Sequence, residues 1–128
     1  MRVKITNMPG KEGFFTVRPQ GSIDSDTYQE FQSSITPILV NSTKGICMDL
    51  SDVDYISSAG LGVFFNVNKI MAKNNGSLIF SNLKPQIKRL FEIVKALPPE
   101  VLFQNAAEAD AYFYKMMNEE IERQKDKT

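Results

Sequence analysis

Ser57 and Ser58 stand directly before Ala59-Gly60-Leu61-Gly62, and the eight residues ahead of them, Asp49-Leu50-Ser51-Asp52-Val53-Asp54-Tyr55-Ile56, carry three carboxylates. A serine hydroxyl in such company can act as a nucleophile, cap a helix, or accept a phosphoryl group. The nucleophile needs a base. The chain contains no histidine, which removes Ser-His-Asp and Cys-His catalysis together with imidazole metal sites. A lysine base or a carboxylate pair would have to substitute, and the sequence places neither beside a serine. Cys47 is the single cysteine, so there is no intrachain disulfide and no multi-cysteine metal site. Within Gly45-Ile46-Cys47-Met48-Asp49-Leu50 it reads as a small buried hydrophobe. The chemistry therefore points away from an enzyme, and no cofactor or metal is expected.

The two remaining uses of the serines depend on the elements around them. Residues 46–50 form a short apolar run, expected as a buried central strand. Residues 51–58 read as a loop, and a helix is expected over 59–73, stopped by Asn75-Gly76. On that helix Leu61, Phe64, Phe65, Asn68, Met71 and Ala72 are assigned to one side, and Asn66, Lys69 and Lys73 to the other. A helix N-terminus offers unpaired N–H groups and a partial positive charge, and both favour anions. A hydroxyl there can cap the helix, worth about 1 kcal/mol, or be a position into which phosphate is placed. Local chemistry leaves both open.

The rest of the chain supplies a frame for that loop. Residues 3–6 and 14–18, joined across Gly10-Lys11-Glu12-Gly13, predict a hairpin ended by Pro19 and Gly21. Asp26 with Gln29 resembles a capping box, followed by Tyr28, Phe31, Ile35, Ile38 and Leu39 on one helical face. Pro37 interrupts that pattern and predicts a kink or a looser last turn. Residues 77–81 predict a strand. Pro85 suits a helix's first turn, and Ile87, Leu90, Phe91 and Val94 follow at helical spacing. Pro98-Pro99 precedes a last expected strand at 101–104, and the chain from Ala106 is helix-prone, with Ala109, Tyr112, Phe113 and Met116 as its apolar side. Alternating strands and helices predict an α/β domain, a mixed sheet of about five strands with about four helices packed on it. Its expected limits are 1–113, with 114–128 a charged helical or frayed extension.

The totals narrow the partners. At 128 residues the chain fits one domain, and 42% hydrophobic residues with nine Phe and four Tyr suit a globular core. Fifteen Lys and Arg balance fifteen Asp and Glu, without the basic surplus that gripping a nucleic-acid backbone requires. No stretch approaches the ~20 apolar residues of a membrane span, the start lacks a signal-peptide run, and a reducing cytoplasm is expected.

The segment Asp49-Leu50-Ser51 through Ser57-Ser58-Ala59-Gly60-Leu61-Gly62 resembles the signature of the STAS family, in particular the bacterial anti-sigma factor antagonists. Their strand ends in Asp-Leu/Phe-Ser and leads to Asp-Ser-Ser/Thr/Ala-Gly-Leu-Gly. Gly21-Ser22-Ile23-Asp24 is similar to the family's Gly-x-Leu/Ile-Asp, and Pro85-Gln86-Ile87-Lys88-Arg89-Leu90-Phe91 to the start of its third helix. The resemblance covers roughly residues 14–112. It implies that Ser58, two positions before Gly60, is the phosphoacceptor, with Ser57 as second choice. Ser57 stands where the family usually has aspartate.

The resemblance also implies a working cycle. The unphosphorylated protein binds an anti-sigma factor that is a serine kinase and so frees a sigma factor; phosphorylation releases it, and a metal-dependent serine phosphatase resets it. Asp24 is expected to hydrogen-bond the acceptor hydroxyl or contact the partner, or else only to cap the first helix; Asp49 is expected to fix the loop. Asp24, Asp52 and Asp54 are expected to leave the phosphorylated face strongly negative. Val63, Asn66 and Lys69, taken as the exposed side of the second helix, are expected to join Asp24 and Ser58 in partner contact. Two other readings stay open: an unphosphorylated STAS scaffold or adaptor in a larger complex, and a small-anion or nucleotide module, for which Gly60-Leu61-Gly62 is a weak fingerprint. The oligomeric state, a homodimer included, is also open.

Overall fold

The computed structural model describes residues 1–94 together with residues 111 and 115. Four strands form one mixed sheet in the order β1-β2-β3-β4: β1 (Arg2–Asn7), β2 (Phe14–Gln20), β3 (Gly45–Asp49) and β4 (Ser77–Ser81). The opening hairpin makes β1–β2 antiparallel, while β2–β3 and β3–β4 are parallel. Parallel neighbours need crossover connections, and helices supply them: α1 (Tyr28–Ile35) links β2 to β3, and α2 (Ser58–Lys73) links β3 to β4. A third helix, α3 (Pro85–Val94), follows β4. This is the α/β mixed sheet the sequence predicts. The strand expected at 101–104 lies outside the described residues. So do the helix expected from 106, save for residues 111 and 115, which are helical, and the 114–128 extension apart from residue 115.

Register sets the core. Val17 pairs with Met48 and Met48 with Phe80, while Ile46 pairs with Leu78, so these side chains share a face. Phe64 from α2 sits over that face at the centre of an aromatic cluster. Its ring lies 5.6, 5.1 and 6.2 Å from those of Phe31, Phe80 and Phe91, each edge to face, and Phe31, Phe64 and Phe80 are fully buried. Cys47, as expected, is buried.

Two local expectations need correction. The Asp26–Gln29 box does not form: Thr27 is the N-cap of α1 and makes no side-chain capping bond, while Asp24 and Thr27 bond to each other in the turn just before the helix. The Asp24 carboxylate accepts from the N–H groups of Asp26 (2.9 Å) and Thr27 (3.2 Å), and Thr27 Oγ1 accepts from the Asp24 N–H at 3.0 Å. This bonding satisfies the N–H groups of Asp24, Asp26 and Thr27 in that turn, and α1 itself begins at Tyr28, the first residue of its apolar spacing. Strand β2 also runs on through Pro19 to Gln20, and only Gly21, at φ +101°, turns the chain. Pro37 acts as expected: α1 stops at Ile35 and a single 3-10 turn, Thr36–Ile38, takes over.

Candidate functional site

The site is built where the end of β2 and the loop after β3 run side by side. The Gly21 N–H donates to the Asp52 carbonyl (3.0 Å), the Ile23 N–H to the Tyr55 carbonyl (2.9 Å), and the Ser57 N–H to the Ile23 carbonyl (2.8 Å). Ile23 and Ile56 form a parallel bridge, and both side chains are buried. These bonds place the start of α2 directly beside Asp24. Gly60 makes the approach possible. A Cβ on it would lie 2.6 Å from the Ile23 carbonyl oxygen and 2.8 and 2.9 Å from the Cγ2 atoms of Ile23 and Ile56.

The two serines have separate roles. Ser57 has extended backbone angles (φ −84°, ψ 175°), and its Oγ accepts from the Gly60 N–H at 3.3 Å. It is the N-cap. Ser58 is the first residue of α2 and is exposed, and among the described residues its hydroxyl makes no hydrogen bond. The helix therefore begins one residue earlier than the sequence indicates. Serine and aspartate cap helices comparably well, so Ser57 fills the cap position, where an aspartate was the expected residue, without carrying a charge. Ser57→Ala should lower stability by about 0.5–1 kcal/mol, a fall of ~2–4 °C in Tm, whereas Ser57→Asp should hold Tm level. Thermal melts followed by circular dichroism check both.

The other predicted residues fall in different places. Asp24 lies beside the start of α2, but its carboxylate is engaged with Asp26 and Thr27 in the turn that leads into α1. Asp49 lies at the end of β3, where it accepts from the Ser51 N–H at 3.0 Å and from Asn82 Nδ2 at 3.2 Å. Its bonds tie the loop to β4 and do not reach Ser58. Asn66 and Lys69 are exposed on α2. Val63 is not: it is 3% exposed and belongs to the core, which removes it from the contact surface expected of it. Phe65, assigned to the buried side, is instead exposed, at 38%. The inward residues are Gly60, Leu61, Val63, Phe64, Val67 and Met71, so Leu61, Phe64 and Met71 stand as expected while Ala72 is exposed. Gly60 decides this rotation, since only a residue without Cβ can face Ile23 so closely.

Sequence reasoning missed the cations around the loop. Arg18 Nε donates to Asp52 Oδ2 at 2.9 Å, and Lys84 pairs with Asp54. The hydrogen bond that Asp52 accepts and the attraction of its charge hold the Arg18 guanidinium pKa above its usual value, against a smaller opposing effect of desolvation. Gln86 Nε2 adds a bond to the Asp54 carbonyl at 3.4 Å. Two of the three acids expected to make this face strongly negative are thus balanced. Separations of 34 and 30 residues leave no local pattern by which these pairs could have been found. Tyr55 stands exposed between them at 57%.

Gly62 differs from Gly60. It is exposed, and no heavy atom lies within 4 Å of where its Cβ would be. A glycine inside a helix costs about 1 kcal/mol relative to alanine, and packing within the described residues gives no reason for it. Among those residues, no helix is long and apolar enough to cross a membrane.

Comparison with known proteins places this geometry. The STAS-domain family pattern matches residues 6–109. An anti-sigma-B factor antagonist of Staphylococcus aureus is 32% identical over 83 residues, which are 65% of this chain and 77% of that protein. The structure of the anti-sigma factor antagonist SpoIIAA in its unphosphorylated form superposes with a TM-score of 0.67 at 15% identity, covering 90% of this chain and 98% of that one. The phosphorylated form of the same Bacillus protein gives 0.66 at 13% identity, covering 86% and 99%. With its β3–α2 loop, capped helix start and mixed sheet, this chain belongs to the STAS-domain family, to which its relatives among the anti-sigma factor antagonists also belong.

Proposed function

We propose that this chain is an anti-sigma factor antagonist that works as a phosphorylation-controlled partner switch in the cytoplasm. Unphosphorylated, it binds an anti-sigma factor that is also a serine kinase and so releases a sigma factor. Phosphorylation of Ser58 ends the complex, and a metal-dependent serine phosphatase restores it. The chain is substrate and ligand in this cycle, and the chemistry is done by its partners.

One observation carries the assignment of the acceptor. Ser57 and Ser58 are adjacent, yet the first spends its hydroxyl on the Gly60 N–H while the second presents a free hydroxyl on an exposed first turn. A kinase must bring its phosphate in line with an accessible oxygen, and Ser58 offers one at the end of the helix where added negative charge is tolerated. The Staphylococcus aureus relative supports the partner class. Asp24, beside the helix start, is in reach of any partner that engages Ser58.

Intact mass and peptide mapping of the protein from its own cells, with and without phosphatase treatment, tests the reading. The expected result is one phosphate, on the peptide containing Ser58, removed by the phosphatase. Absence of phosphate under every growth condition would favour an unphosphorylated scaffold or adaptor.

A further inference from the structure

Ser58, Gly62, Phe65 and Lys69 recur at i, i+4, i+7 and i+11, so they lie along one side of α2. All four are exposed. The ridge runs from the proposed acceptor serine towards the C-terminal end of the helix, and three features separate it from an ordinary solvated face. Phe65 puts an aromatic ring in water. Gly62 sits in the helix interior with no neighbour among the described residues to demand it, although glycine weakens a helix relative to alanine. The sixteen residues of α2 include no Asp or Glu, while Lys69 and Lys73 both stand exposed in its second half. A solvated helix face usually mixes both signs.

A missing Cβ is useful where another backbone comes close. Gly60 shows this inside the molecule, where the Ile23 carbonyl fills the space. We infer that Gly62 does the same outward: it is a clearance position over which the kinase partner's backbone passes, with Phe65 as the anchor beside it. The inference rests on the proposed switch and defines how its partner is gripped. The complementary surface has a raised main-chain segment to fill the space over Gly62 and an apolar recess for the Phe65 ring. It carries carboxylates opposite Lys69 and Lys73, because a helix with two lysines and no acid is matched by negative charge. On this arrangement Ser58 lies at one end of a continuous contact strip.

Titration calorimetry of the full chain against the purified anti-sigma serine kinases of its own organism tests this. Gly62→Ala should raise Tm by roughly 3 °C through helix propensity while weakening binding at least about tenfold. Opposite signs in the two readouts separate a contact role from a folding role. Phe65→Ser should weaken binding about tenfold or more, and Lys69→Glu should slow association with a reduced salt dependence. Ser58→Asp serves as the reference. If Ser58→Asp abolishes binding while Gly62→Ala and Phe65→Ser bind as the wild type does, the strip is wrong and the switch stands. If the Gly62 and Phe65 variants lose binding and Ser58→Asp keeps it, the strip stands and the switch fails. Failure of the wild-type chain to bind any kinase of this class overturns both.

Discussion

Ser58→Asp is expected to weaken binding to the kinase partner by at least about a hundredfold while leaving Tm within about 2 °C of wild type. The two halves of that result have separate causes. Within the domain, the substitution puts a carboxylate on the first turn of α2, where the unpaired N–H groups and helix dipole favour negative charge by about 0.3–1 kcal/mol. Ser58 is exposed, and no described partner loses a hydrogen bond. The fold has no reason to weaken. At the interface a hydroxyl that fitted a close contact becomes a charge to be desolvated, and like-charge or unpaired-charge burial costs several kcal/mol. Phosphoserine, at about −1.5 to −2 charge, should do the same more strongly. Ser58→Ala should bind as tightly as wild type and stay bound in the presence of ATP. Calorimetry and thermal melts decide the matter, and a large fall in Tm with binding intact would sink this account.

That separation depends on charges that the sequence could not arrange. Read along the chain, Asp24, Asp52 and Asp54 suggest an acidic surround for the phosphate. Folding brings Arg18 from β2 to Asp52 and Lys84 from the β4–α3 connection to Asp54, so repulsion within the domain is smaller than expected. Release must come from the interface all the more. Such pairs join segments 30 or more residues apart, and local pattern carries no trace of them.

What was legible follows physical range. Up to α3, strand and helix order, the break at Pro37 and the helix start at the two serines all depend on neighbours within a turn or two, and those agree with the structure. The rotation of α2 was misread at Val63 and Phe65, although a signal was present. Taking Gly60 as an inward position selects Val63, Phe64, Val67 and Met71 beside Leu61, an unbroken apolar face, whereas extending that face through Phe65 and Asn68 brings in an amide. Asp26 and Gln29 do not box the start of α1, because Asp24 and Thr27 close the turn ahead of the helix on each other.

Gly60→Ala should destabilise the protein, while the same change two residues away at Gly62 should stabilise it. Both replace a helical glycine by alanine, so both gain about 1 kcal/mol of helix propensity. They differ in what the added methyl meets. At Gly62 it meets open space. At Gly60 it meets the Ile23 carbonyl oxygen at 2.6 Å, and that oxygen cannot retreat alone, because it accepts the Ser57 N–H while the Ile23 N–H is bonded to Tyr55. Relief requires α2 to lift off the strand end or the 21–24 segment to shift, at about 3 kcal/mol for overpacking of this kind. The net loss is about 2 kcal/mol, or roughly 7 °C in Tm for a chain of this length. The shift has a further consequence at the site. Lifting the first turn stretches the Ser57 Oγ bond to the Gly60 N–H, already 3.3 Å, and moves the Ser58 hydroxyl from the position a kinase must meet in line. Gly60→Ala should therefore slow phosphate transfer to Ser58 even below its lowered Tm, measured by mass-resolved phosphorylation time courses at a temperature where circular dichroism shows the variant folded. Equal Tm for the two alanine variants would mean that Gly60 does not set the approach of α2 to the strand.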